Sequence, residues 1–189
     1  MANVNSLVEI RWHGRGGQGA VTSAELVAEA AISEGKYAQA FPTFGPERRG
    51  APVQAFTRIN PKEPIRVRAE ILEPSVVVVF DLTLMSTVPT TSGLKPNGLV
   101  IVNTKKPIDQ LKSEYGIAGK VAAVDATTIA RELLGVPIVN TTMIGALIKA
   151  TGVINLESMR EPLMKRFGRL GEANLKAMER AFKETILGA

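Results

Sequence analysis

A chain of 189 residues with 45% hydrophobic and 22% charged side chains is long enough to bury a core of its own, and a single domain over residues 1–189 is expected. It contains no cysteine, which excludes disulfides, thiolate nucleophiles, cysteine-held zinc and any iron–sulfur cluster ligated by this chain. The net charge of +5 sits in short clusters (Arg48-Arg49, Arg66 with Arg68, Lys105-Lys106) and aromatics are only 5%, so a base-stacking platform for nucleic acid is not expected. Phosphate-bearing small molecules or an acidic partner chain fit that balance better. Met1 to Ser6 is short and polar, unlike a secretory signal, and the longest apolar run, Ser75 to Phe80, is strand-sized. A cytoplasmic protein without a membrane anchor is the expectation.

In chain order, Leu7 to Trp12 reads as a strand entering the glycine-rich "HGRGGQG". Val21 to Ser33 is alanine-rich with apolar residues at helical spacing, stopped by Gly35, and Tyr37 to Phe41 is a second strand. The first forty residues thus predict a βαβ unit. Pro42 to Pro52 holds three prolines and two glycines and reads as irregular. Val53 to Ile59 and Ile65 to Ile71 both look like strands, and the short Asn60 to Pro64 link predicts a hairpin between them. "SVVVVFD", ending at Asp81, predicts a strand buried on both faces, and Gly98 to Asn103 and Lys120 to Asp125 repeat the pattern. The final third is helical: "TTMIGALIKATG" is apolar nearly all round, while Leu156, Met159, Leu163 and Phe167, then Leu175, Met178, Phe182 and Ile186, keep helical stripes. The expected fold is an α/β/α three-layer, Rossmann-like open sheet, mostly parallel with an antiparallel part, with residues 153–189 as a helical segment packed on it.

Gly14, Gly16 and Gly19 have G-x-G-x-x-G spacing after a strand and before a helix, where bare backbone and the helix dipole suit a phosphate. No Gly-Lys-Ser/Thr closes the run, so it is not a P-loop. A dinucleotide site also expects an acidic residue at the end of the second strand; Glu34 precedes that strand, and its end reads "FPTF". The other reading of the glycines is close helix–strand packing. Arg15 and Gln18 project from the same turn, and Arg15 suits either a phosphate or a solvated loop. His13, the one histidine, is expected to be packed rather than catalytic. Asp81 and Asp125 stand at strand ends before helices and read first as N-caps. No nucleophile–base pair, carboxylate pair or metal-binding signature is visible, so the chain reads as a binding module.

"IRWHGRGGQGAVTSAELVAEAA", "GKYAQAFPTFGPERRGAPVQAFTRI", "SVVVVFD", "GLVIVNT" and "NTTMIGALIKATG", with the spacing between them, resemble the gamma subunits of pyruvate (2-oxoacid):ferredoxin oxidoreductases over most of the chain. The resemblance implies a heteromeric enzyme that oxidatively decarboxylates pyruvate or a branched-chain 2-oxoacid with coenzyme A, giving acyl-CoA, carbon dioxide and reduced ferredoxin. It implies that thiamin diphosphate with Mg2+ and the [4Fe–4S] clusters lie on alpha, beta and delta subunits, that ferredoxin is met through the complex, and that this chain is noncatalytic alone. It further implies that Gly14, Arg15, Gly16, Gly17, Gln18 and Gly19, with Glu47, Arg48 and Arg49 of the second segment, face coenzyme A or a neighbouring subunit. The competing expectation is a free-standing nucleotide-binding oxidoreductase of Rossmann type.

Overall fold

The computed structural model describes residues 6–43 and 49–188. The glycine-rich run grows out of strand β1 (Val8–Arg15), which extends three residues further than the apolar pattern alone implies. Helix α1 (Ala20–Ser33) follows, then β2 (Tyr37–Pro42) and β3 (Pro52–Asn60). Strand β4 (Val76–Val79) leads to a short α2 (Leu84–Thr87). Next come β5 (Leu99–Asn103), α3 (Ile108–Tyr115), β6 (Lys120–Val124), α4 (Ala126–Leu134) and α5 (Asn140–Thr151). A 3-10 turn at Glu157–Met159 runs into α6 (Arg160–Phe167), followed by α7 (Gly171–Glu184) and β7 (Ile186–Gly188).

All seven strands form one sheet in the order β2-β3-β1-β4-β5-β6-β7. From β1 to β6 the strands run parallel, with β3 antiparallel to β1 and to β2, and β7 antiparallel to β6. The expected βαβ unit is therefore split: β1, α1 and β2 are present, but β3 is inserted between the two strands. Residues 65–71 form no strand, contrary to the hairpin expectation. The reason is that β3, the strand a hairpin would pair them with, already has a partner on each side, β2 and β1. Their backbone is instead held by side chains: Gln39 donates to the carbonyl of Ile65 (2.7 Å), Arg58 to that of Val67 (3.3 Å) and Arg11 to that of Ile71 (3.2 Å). The stripe through α7 also ends earlier than expected, because Ile186 lies in β7 and is exposed.

Alternation sorts the strand residues into two layers. Ile10, Trp12, Val76, Val78, Ile101 and Val124 face α1, α4, α5, α6 and α7, whereas Val77, Val79, Val100, Val102 and Val121 face α2 and α3. Covered on both faces, all four valines of β4 are fully buried, each contributing about 1.5–3 kcal/mol of transfer free energy. Four alanines of α1 (Ala20, Ala24, Ala30 and Ala31) are buried in the same core as Trp12, whose indole donates to the Thr57 hydroxyl (2.9 Å), which in turn donates to the carbonyl of Ala24 (3.2 Å). Helix α5 is buried at every position but Lys149. It meets α7 at Gly145, where a Cβ would lie 2.1 Å from the Met178 carbonyl oxygen.

Candidate functional site

Strand β1 runs out through α1 towards one side of the sheet, and β4 leads on to β5 towards the other. Open α/β sheets take ligands at such a divide, beyond the carboxyl ends of the strands. The glycine run lies at this point. Gln18 closes the turn on itself: its side-chain oxygen accepts from the Arg15 N–H (2.7 Å), and its own N–H donates to the Arg15 carbonyl (2.9 Å).

The second segment docks on the first. The Gly16 N–H donates to the Ala51 carbonyl (2.9 Å), the Gly50 N–H donates to the Gly16 carbonyl (3.0 Å), and Gly16 forms a parallel bridge with Arg49. The "GRGGQG" and "RGAP" stretches thus share one surface. Arg49 is exposed beside it, while the expected site residues Glu47 and Arg48 lie outside the described residues.

Two glycines are needed for what they lack. Gly17 has φ +96° with open space where a Cβ would be. Gly19 has φ +83°, and a Cβ there would sit 2.8 Å from the amide nitrogen of Asn140, at the start of α5. Gly14 lies within β1, where its missing side chain leaves room for Ala20. Gly19 serves packing, as one reading of the run expects, and Gly16 and Gly17 line a depression with Arg15, Gly19, Ala20, Val21, Thr22 and Val53. That depression opens on the first turn of α1, which carries no side-chain cap and no acidic residue. Its backbone N–H groups and the helix dipole favour an anion there.

Arg15 is not a free arm. Its Nε donates to Oδ2 of Asp81 (2.7 Å), its Nη1 to the Gly50 carbonyl (3.1 Å) and its Nη2 to the Thr83 hydroxyl (2.8 Å). The Arg15 and Asp81 side chains are 31% and 22% exposed. Burial would raise the Asp81 carboxyl, but hydrogen bonds from Thr83 and Arg15, with the guanidinium charge, hold it below its ordinary value. Asp81 does accept a backbone N–H at the entry to α2, from Thr83 (3.0 Å), as a capping residue would, and its carboxylate also accepts from Arg15 and from the Thr83 hydroxyl (2.6 Å). Asp125 does cap α4, accepting from the Thr128 N–H (3.1 Å).

The remaining sequence candidates are structural. His13 is buried and its Nε2 accepts from Arg11 Nε (3.1 Å). Burial, then the Arg11 charge, push its pKa down to about 3, against a backbone hydrogen bond with Thr90, so the imidazole is neutral. Glu34 accepts from Lys36, from the Asn155 N–H and from the Ser158 hydroxyl, tying the end of α1 to the C-terminal third. Thr83, Thr22 and Asn140 were not visible as site residues; the signal for Thr83 was its place two residues after a strand-end aspartate. Among the described residues, no group of three His, Asp or Glu side chains is arranged to hold a metal ion, and no helix is long and apolar enough to cross a membrane.

Comparison with known proteins bears on all of this. Residues 9–184 match the family model described as pyruvate ferredoxin/flavodoxin oxidoreductase. The chain is 56% identical over 186 residues to the "Pyruvate/ketoisovalerate oxidoreductases common subunit gamma" of Thermococcus kodakarensis, covering 96% of this chain and 98% of that one. It is 49% identical over 181 residues to "Pyruvate synthase subunit PorC" of Methanocaldococcus jannaschii, covering 95% and 98%. The crystal structure of the pyruvate oxidoreductase subunit PORC from Thermotoga maritima superposes with a TM-score of 0.87 at 40% identity, over 97% of this chain and 99% of that one.

Proposed function

The chain belongs to the pyruvate ferredoxin/flavodoxin oxidoreductase family, and from that premise we propose that it is the gamma subunit of a pyruvate or branched-chain 2-oxoacid:ferredoxin oxidoreductase and forms the coenzyme A side of its active site. In this reading the assembled enzyme, with alpha, beta and delta chains, decarboxylates the 2-oxoacid oxidatively and passes electrons to ferredoxin in the cytoplasm. Thiamin diphosphate, Mg2+ and [4Fe–4S] clusters belong to the other chains. A chain with no cysteine has no thiolate for a cluster.

One observation carries the coenzyme A assignment: the two glycine-rich segments are hydrogen-bonded into a single surface over the uncapped N-terminus of α1. Coenzyme A bears a pyrophosphate and a 3′-phosphate, and the N–H groups of Ala20, Val21 and Thr22 suit such an anion. The bare backbone at Gly16 and Gly17 admits it closely. The exposed Arg49 adds positive charge at the rim. The chain's part is to bind and orient; no residue of the turn is placed to exchange a proton with a substrate.

A free-standing dinucleotide enzyme is disfavoured by the same geometry. The end of β2 carries Phe41 and Pro42 where a ribose-binding acid is expected, Glu34 is taken up by Lys36, Asn155 and Ser158, and the crevice between β1 and β4 is crossed by the Arg15–Asp81 pair.

Thr22→Asp tests the reading. A carboxylate in the first turn agrees with the helix dipole and leaves the fold intact, yet it repels a phosphate. In the purified complex the KM for coenzyme A is expected to rise about tenfold, an effect of about 1.4 kcal/mol, with the KM for the 2-oxoacid unchanged. An unaltered KM for coenzyme A would remove the turn from coenzyme A binding.

A further inference from the structure

Arg15, Asp81, Thr83 and Gly50 form a closed set of hydrogen bonds across the divide of the sheet. Arg15 leaves the end of β1, Asp81 and Thr83 follow β4, and Gly50 belongs to the segment preceding β3. The Thr83 hydroxyl has two roles, donating to Asp81 Oδ1 (2.6 Å) and accepting from Arg15 Nη2 (2.8 Å). With Nε on Asp81 Oδ2 and Nη1 on the Gly50 carbonyl, three faces of the guanidinium are fixed at once. The planar fork of arginine is what permits this; a lysine ammonium would hold a point rather than an orientation.

We propose that Asp81 and Thr83 are positioning residues for coenzyme A recognition, acting through Arg15 to hold the Gly16–Gly17 turn and the Arg49–Ala51 segment in register. The proposal rests on the reading of the turn given above. Three features carry it. The pair is partly exposed, and ion pairs of that kind add little net stability, so stability alone does not account for a four-membered arrangement. Besides accepting from the Thr83 N–H at the entry to α2, Asp81 accepts from Arg15 and from the Thr83 hydroxyl, bonds that capping alone does not call for. And the clasp ends on Gly50, whose own N–H is bonded to Gly16, the glycine that lines the depression at α1. The guanidinium charge is also matched within the chain, so an incoming phosphate is met by the backbone N–H groups of α1 and by Arg49, in a geometry that Arg15 sets from behind.

The test uses the assembled complex carrying Asp81→Asn, Thr83→Val or Thr83→Ser, beside Thr22→Asp. Asp81→Asn is expected to raise the KM for coenzyme A about tenfold, the scale of a misplaced binding group, with kcat at saturating coenzyme A and the KM for the 2-oxoacid unchanged. Thr83→Val should shift the same parameter in the same direction, and Thr83→Ser, which keeps the hydroxyl, should restore it. A second readout follows the segment itself: tryptic cleavage of the Arg49–Gly50 bond should be faster in Asp81→Asn and Thr83→Val than in the parent or in Thr83→Ser. If Thr22→Asp weakens coenzyme A use while Asp81→Asn and Thr83→Val alter neither KM nor cleavage, the positioning role is overturned and the coenzyme A reading stands. If no variant, Thr22→Asp included, changes the KM for coenzyme A, the reading of the turn itself fails and takes the positioning role with it. Loss of this chain from the complex in Asp81→Asn and Thr83→Val, with a normal KM in the intact fraction, would overturn the proposal in favour of an assembly contact.

Discussion

His13 shows how a polar residue next to a candidate site can belong wholly to the fold. Its Nε2 accepts from a buried arginine whose other N–H groups reach the carbonyls of Ile71, Thr90 and Ser92, so the imidazole works as a neutral acceptor. Folded, it protonates only near pH 3; unfolded, near its ordinary 6.5. The unfolded chain therefore binds the proton first as pH falls, and stability that is full above about pH 6.5 is lost progressively towards pH 3. At pH 5 the loss is about 2 kcal/mol from this group. Urea unfolding followed by the fluorescence of the single, buried Trp12 should show that loss in the parent between pH 7 and 5. His13→Gln should remove most of the pH dependence; an equally steep variant would mean that other groups dominate. Residue identity alone made His13's packed role legible. The partnership of Arg15 with Asp81 was not, because the two are 66 positions apart and meet only once β1 and β4 are paired.

Helices and strands differ in how openly the chain declares them. Strands β4, β5 and β6 are continuous apolar runs because both faces are covered, and the patterns in residues 75–125 needed only trimming at their ends. The segment 65–71 alternates as a strand does, yet alternation reports the side chains and not whether a sheet edge is vacant; β2 and β1 had taken both edges of β3. The insertion of β3 is likewise a matter of competition between pairings rather than of local pattern. The close approach of α5 to α7 at Gly145 is not reported by the apolar pattern of that stretch, which says only that the helix is buried. Gly145→Ala would put a methyl group 2.1 Å from the Met178 carbonyl oxygen, so α7 must move away from α5. A cost of about 1–3 kcal/mol or more is expected, read as a lowered urea midpoint. An unchanged midpoint would show that the two helices can slide apart freely.

At the scale of the molecule, the proposed function divides chemistry and support between chains. With no cysteine to ligate a cluster, this chain on its own is expected to give no 2-oxoacid-dependent reduction of a dye, and mixing with the chains proposed to bind thiamin diphosphate and clusters is expected to restore it. Dye reduction by the chain alone, free of the others by mass spectrometry, would refute that division. The seven-stranded sheet does carry a feature with a bearing on how fast such an assembly responds. In the free chain Gly16, Gly50 and Ala51 already satisfy one another's backbone groups, and Arg15 is already fastened on three sides. Under the proposed function an arriving ligand would meet these residues already held by one another, so little further ordering would be needed at the moment of encounter. Arrival is then governed by diffusion and orientation, and it is the dwell time of the ligand, more than its rate of capture, that changes at this turn should vary.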